Sequence, residues 1–188
     1  MKLIPRSGWL SHGISLHDVE SVADHSFSTC ALSLLLADLE INRGQSVNVE
    51  RVLRMALLHD MPETLTFDIS KAYLEYLGER GHAIKSELER AAWKHLADGL
   101  KNPALDRGYT RLQTEFNLEE TIESKLVHAA DLLDILLQVI DYRSRGYPET
   151  LVADLWKGTS SRLRESKIPS VRKLHRIIID EARRPLSK

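Results

Sequence analysis

The chain has 188 residues, 26 Lys and Arg against 27 Asp and Glu for a net charge of −1, and 43% apolar residues. That length suits one globular domain with its own core and leaves little for a second, and the balanced charge gives no reason to expect a nucleic-acid or membrane surface. The single cysteine, Cys30, rules out an internal disulfide and reads as a small core residue in a protein of the reducing cytoplasm.

The opening stretch is broken by Pro5, Arg6 and Ser7 before any signal-like apolar run develops. Apolar spacing predicts a helix over 19–40, with Val22, Leu32, Leu35, Leu36 and Leu39 at helical intervals and Asn42-Arg43-Gly44 as its stop. Asn48 caps a second helix, VERVLRMALLHD, whose stripe is Val49, Val52, Leu53, Ala56 and Leu57. Pro62 disfavours helix at Met61, so MPETLTFDIS is expected as loop. Further helices are expected over 71–77, 82–100 and 109–116, a long one over 118–145, and two more over 148–164 and 170–183. No strand-like alternation persists, so the fold class is all-α, one compact domain over 1–188. The apolar run at 132–140 is too short to span a bilayer.

Three of these helices place polar groups where the pattern asks for apolar ones. His59 extends the stripe of Val52, Met55 and Ala56, and Asp60 extends that of Leu53, Ala56 and Leu57. Both therefore face the core, where an unpartnered carboxylate is costly or shifts its pKa. His25 lies on the face of Val22, Thr29, Leu32 and Leu36, with small neighbours Ser21, Ser28 and Thr29 leaving room around the ring. Asp131 sits in HAADLLDILLQVI, with Val127 at i−4 and Ile135 at i+4. Two imidazoles and two carboxylates form a mixed nitrogen and oxygen set suited to a divalent cation with positions open to water and substrate. A core histidine taken alone is more often satisfied by a hydrogen bond. The dipeptide His17-Asp18 has no apolar stripe behind it and reads as loop and helix start. Asp134 competes with Asp131 for the fourth place, but Gln138 is expected to satisfy it.

In order and spacing, ESVADHS at 20–26, LLHDMPE at 57–63, Asp68 and HAAD at 128–131 resemble the HD-domain 5′-deoxynucleotidases, over about residues 4–145. His…His-Asp…Asp marks the superfamily; HD-x-x-E-x-x-x-x-D, with the preceding R-x-G-W and E-S-V-A-D-H, narrows it to this branch. The resemblance implies that His25, His59, Asp60 and Asp131 hold one divalent ion (Mn, Co, Ni, Fe or Zn). It implies that Glu63 acts on the attacking water and Asp68 on the leaving 5′-oxygen. It also implies that Arg6 grips phosphate while Trp9 checks the sugar where a 2′-hydroxyl would sit. A small-molecule deoxyribonucleoside 5′-monophosphate as substrate and a homodimer follow from the same resemblance. Without it, Glu63 reads as a solvated loop acid, Asp68 as the cap of the helix after Ile69, Arg6 as an exposed terminal charge and Trp9 as a core anchor. The sequence departs from the family at Leu132 and His128, where members carry lysine. Alternative substrates within the class are dNTPs, cyclic nucleotides or ppGpp; the alternative outside it is nucleotide binding without turnover. The segments around 151–163 and 171–179 have more apolar residues than a site needs and are expected to close the core or to contribute to the dimer.

Overall fold

The computed structural model of the chain describes residues 1–184; positions 185–188 of the expected domain lie outside them. In chain order the helices are α1 (Ser7–Ser11), α2 (Val22–Ile41), α3 (Val49–Leu58), α4 (Glu63–Thr66), α5 (Lys71–Glu75), α6 (Glu79–Gly99), α7 (Pro103–Leu118), α8 (Ile122–Ser144), α9 (Ala153–Arg164) and α10 (Pro169–Ala182). A 3-10 turn at Glu149–Leu151 precedes α9, and there is no strand among the described residues.

Side-chain caps set several boundaries. Ser21 and Asp24 form a reciprocal capping box at the start of α2. The Asn48 side chain accepts from the Arg51 amide to begin α3, and the Thr121 hydroxyl accepts from the Ser124 amide to begin α8. Where the helices differ from the spacing-based expectation, local causes are visible. Pro62 starts a helix instead of ending one: its φ of −56° suits a helix N-terminus, and the expected loop contains α4. Helix α7 begins well before 109 because Asn102 accepts from the amides of Ala104 and Leu105 and Pro103 fills the first turn. Glu119, in the left-handed region at φ 50°, ends α7, so α8 begins at Ile122. The opening also contains α1, whose first amide donates to Asp68, a bond across 61 residues that no local pattern reveals.

The axis of the fold is α8. Its Leu126, Val127, Ala130, Leu133 and Leu136 are fully buried, and it packs against α2, α3, α7, α9 and α10. These side chains meet Leu36 and Ala37 of α2 and Val52, Met55 and Ala56 of α3 in the main core. Leu163, Val171 and Ile178 join the same core, while Ile177 of α10 stays exposed. One uncovered apolar stripe lies on α2, where Phe27, Leu34, Leu35 and Ile41 are exposed.

A second cluster, Trp9, Ile14, Val139, Tyr142 and Val152, roots the N-terminal segment against the C-terminal half of α8. The Arg6 amide donates to Glu20 O at 3.0 Å and the Val22 amide to Ile4 O at 2.8 Å. This short antiparallel pairing fixes Arg6 and Trp9 beside the start of α2. On the opposite side, a Cβ at Gly81 would lie 2.3 Å from the Leu74 carbonyl oxygen, so glycine is what lets α5 and α6 approach this closely. No helix among the described residues is long and apolar enough to cross a membrane.

Candidate metal centre

His25 lies one turn into α2, His59 immediately after α3, Asp60 in the turn that follows, and Asp131 in the middle of α8. Packing of α2, α3 and α8 brings all four together. His25 Nε2 lies 3.4 Å from His59 Nε2, 3.2 Å from Asp131 Oδ1 and 3.5 Å from Asp60 Oδ2; His59 Nε2 lies 3.2 Å from the same Asp60 oxygen. Ligand atoms held about 2.1 Å from one ion stand roughly 3.0 Å apart at octahedral angles and roughly 3.4 Å apart at tetrahedral ones, so the spacing fits a shared cation. His25, His59 and Asp131 have ligand atoms within 4.8 Å of one another, and Asp60, which lies near both histidines, also accepts from Arg6 Nη1 at 3.1 Å.

The outer ring nitrogens decide what the inner ones can do. His59 Nδ1 lies 2.7 Å from the Ala56 carbonyl oxygen and His25 Nδ1 lies 2.7 Å from Asp134 Oδ2, so each Nδ1 carries the hydrogen and donates it. In the neutral rings both Nε2 lone pairs then face each other and two carboxylates. Four acceptors converge, and the hydrogen that Arg6 donates to Asp60 reaches one of them; a cation or added protons relieve the rest. Burial and the charge of Arg6 oppose a proton on His25, but the hydrogen bonds to Asp131 and Asp134 outweigh them and raise it to about 10. Burial also opposes charge on the two carboxylates. The histidines and Arg6 nevertheless hold Asp60 and Asp131 well below the usual carboxylate range. The donor set fits a divalent ion.

Asp134 corrects the sequence reading. It is not satisfied by Gln138, which donates to Asp141, but accepts from His25. Glu20, His25 and Asp134 form another trio of potential ligands on the far side of the same ring. The 2.7 Å approach there is a hydrogen bond, and Glu20 in turn accepts from Trp9 Nε1 at 2.6 Å, so this group orients the imidazole. Burial and the neighbouring Asp134 push Glu20 up to about 7. The available signal was that Asp134 shares a helix face with Asp131 and that a ligating imidazole needs an acceptor behind it.

The centre opens into a cavity of about 510 Å³, lined by Arg6, Trp9, Asp60, Glu63, Asp68 and Asp131 among others. Glu63 is no solvated loop acid: it is 4% exposed and its Oε2 has no hydrogen-bond partner among the described residues. Burial, Asp60 and Asp68 push it up to about 9, against the pull of Arg6. A cation beside Asp60 would draw it down again. Asp68 does cap a helix, but the helix is α1: its Oδ2 accepts from the Ser7 amide at 2.5 Å. Phe67, which ends α4 just before Asp68, adopts φ 60°, a strained conformation for a non-glycine residue. Trp9 is both anchor and wall, 3% exposed and edge-on to Tyr142 with ring centroids 5.1 Å apart. Arg6 is largely buried and ion-paired, not a loose terminal charge.

The lining residues that sequence reasoning missed include His12, together with His82 and Lys85 of α6 and Leu155 and Arg162 of α9, the last two beyond 4–145. Their helices reach the cavity only through tertiary packing. Leu132 is on the wall, whereas His128 donates through Nε2 to the Phe116 carbonyl and stacks on its ring. Asp18 of the His17-Asp18 dipeptide accepts from the Tyr147 hydroxyl, consistent with the loop reading.

A family model described as HD domain matches residues 1–172. The chain belongs to the HD domain family. It is 27% identical over 172 residues to the 5′-deoxynucleotidase HDDC2 of Xenopus laevis, covering 89% of the chain and 77% of that protein. It is 30% identical over 145 residues to the 5′-deoxynucleotidase hdd1 of Schizosaccharomyces pombe, covering 77% and 68%. The crystal structure of the PH0347 protein from Pyrococcus horikoshii OT3 matches with a TM-score of 0.76 at 28% identity, covering 97% and 92%.

For this HD-domain centre, Asp134→Ala is expected to weaken Mn²⁺ binding roughly 10- to 100-fold, the usual cost of losing a partner behind a ligating imidazole. His25→Ala should abolish stoichiometric binding. Isothermal titration calorimetry on folded variants checks both, and wild-type affinity in Asp134→Ala would remove its orienting role.

Proposed function

We propose that the protein is a metal-dependent 5′-deoxynucleotidase, hydrolysing deoxyribonucleoside 5′-monophosphates to deoxynucleoside and orthophosphate. The observation that carries this reading is the convergence of four acceptors beside an arginine and a buried Glu63 whose Oε2 has no partner among the described residues, all in one cavity. The similarity to 5′-deoxynucleotidases supports the substrate class.

In this reading His25, His59, Asp60 and Asp131 hold one divalent ion, drawn from Mn, Co, Ni, Fe or Zn. When bound, the ion polarises a phosphate oxygen and makes water more acidic. Burial opposes the charge of Arg6, but Asp60, Asp131, Asp68 and Glu63 keep it protonated, and its remaining donors grip the phosphate. Glu63 Oε2 takes a proton from the attacking water as the new P–O bond forms. The proton that Glu63 gains passes by way of Asp68 to the 5′-oxygen as the old bond breaks, and the bond from the Ser7 amide holds Asp68 in place for this. Trp9, fixed by Glu20 and Tyr142, is the rigid wall against which a 2′-hydroxyl would crowd.

The reading includes a homodimer in the cytoplasm. Burial pushes the half-buried Cys30 thiol up to about 11, which suits a structural thiol in a reducing compartment. The stripe Phe27, Leu34 and Ile41 repeats at seven-residue intervals along one face of α2 and offers a second copy an apolar surface.

A panel of deoxyribo- and ribonucleoside monophosphates with Mn²⁺ or Co²⁺ should show orthophosphate release, fastest from the deoxyribonucleotides. No release from any would sink the assignment; pyrophosphate or triphosphate from dNTPs would move it to a rival substrate. Glu63→Gln should keep its metal and lose about 100-fold or more in kcat; metal lost with activity would make Glu63 a ligand. Light scattering should report twice the chain mass, falling to one chain in Leu34→Glu, and a monomeric wild type would contradict the dimer.

A further inference from the structure

A larger cavity, about 1020 Å³, lies away from the metal centre, where α9 and α10 meet the C-terminal end of α8. Six arginines line it, Arg143, Arg164, Arg172, Arg176, Arg183 and Arg184, against two carboxylates, Glu149 and Asp180. In a chain of net charge −1 this is a local excess of four positive charges.

The ion pairs divide these arginines into two sets. Arg143 pairs with Glu149 and donates to the Ala182 carbonyl, while Arg183 and Arg184 pair with Asp180 and Glu181. Arg164, Arg172 and Arg176 have no carboxylate partner among the described residues. Arg164 donates to Ser161 Oγ and Arg172 to the Ser166 carbonyl, neutral acceptors that leave the charges uncompensated. Three exposed guanidiniums without a carboxylate partner among the described residues thus line one concavity from two helices, a charge arrangement that favours an anion between them.

The rest of the lining is neutral and partly apolar. His175 is 8% exposed with its Nε2 2.8 Å from Ser160 Oγ, and burial and the charge of Arg164 lower its pKa. Trp156 and Ile179 supply an apolar surface beside the arginines. A guanidinium presents paired donors that match phosphate oxygens, and an indole offers a flat face to a planar ring. Helix α9 separates the two cavities: Leu155 and Arg162 face the metal side, and Trp156, Ser160 and Arg164 face this one.

We propose that this cavity is a second binding site, for a small molecule bearing several phosphates. The phosphates lie on Arg164, Arg172 and Arg176, and a nucleoside, where present, packs on Trp156. The site needs no metal and is distinct from the hydrolytic cavity.

Calorimetric titration of the metal-free full chain with inorganic tripolyphosphate, dATP and adenosine tests this. Tripolyphosphate is expected to bind, more weakly at high salt. Its affinity should fall at least tenfold in Arg164→Ala/Arg176→Ala and stay unchanged in Arg6→Ala, with folding checked by circular dichroism. Arg176→Ala alone should give a smaller loss in the same direction. Absence of tripolyphosphate binding in the wild type overturns the proposal, as does binding that survives the double variant and disappears in Arg6→Ala. Adenosine binding as tightly as dATP removes the phosphate-recognition role, and a ten-nucleotide single strand binding more tightly than dATP overturns the small-molecule assignment.

Discussion

Two imidazole lone pairs and two carboxylate oxygens face a common point at the junction of α2, α3 and α8, and the arrangement around them follows from that electrostatic conflict. Each imidazole is held from behind, His59 by the Ala56 carbonyl and His25 by Asp134, so neither can turn its proton inward while keeping that bond. The support continues outward. Glu20 accepts from Trp9, the Glu20 amide donates to the Tyr142 hydroxyl, and Trp9 packs on the Tyr142 ring. The smaller apolar cluster thereby becomes the foundation of the polar centre, which is why a fully buried tyrosine keeps its hydroxyl on α8.

The N-terminal segment answers the same conflict from the solvent side. Backbone pairing with Glu20 and Val22 and the Asp68 cap on α1 bring Arg6 to Asp60. One guanidinium offsets part of the negative charge of Asp60, Glu63, Asp68 and Asp131 and leaves donors toward the cavity. Glu63 carries the remaining cost: its Oε2 is buried without a partner among the described residues, beside two other acids. Such a group is poorly placed for stability and well placed to exchange a proton with a small molecule in the cavity.

The sequence displayed the centre more clearly than its surroundings. His25, His59, Asp60 and Asp131 each broke an apolar helical stripe, and a stripe is a local property that spacing reveals. Asp134 broke one as well, but Gln138 lay near enough along the helix to disguise its partner across 109 residues. Helix α1 was invisible because its cap, Asp68, is remote, and α4 because Pro62 is ambiguous between ending one helix and beginning another. Lys85 and Arg162 sit on helices whose local pattern is that of an ordinary solvated face; only the packing of α6 and α9 turns them toward the site. The C-terminal helices carried enough apolar residues for either a core or an interface, and Leu163, Val171 and Ile178 went to the core.

The central claim is that a cation resolves the convergence of His25, His59, Asp60 and Asp131. Anomalous diffraction at the manganese edge from crystals loaded with Mn²⁺ tests it directly. The account predicts one strong peak between the two Nε2 atoms, within bonding reach of Asp131 and Asp60. A peak on the other side of His25, among Glu20 and Asp134, or no peak at a saturating Mn²⁺ concentration, would contradict it.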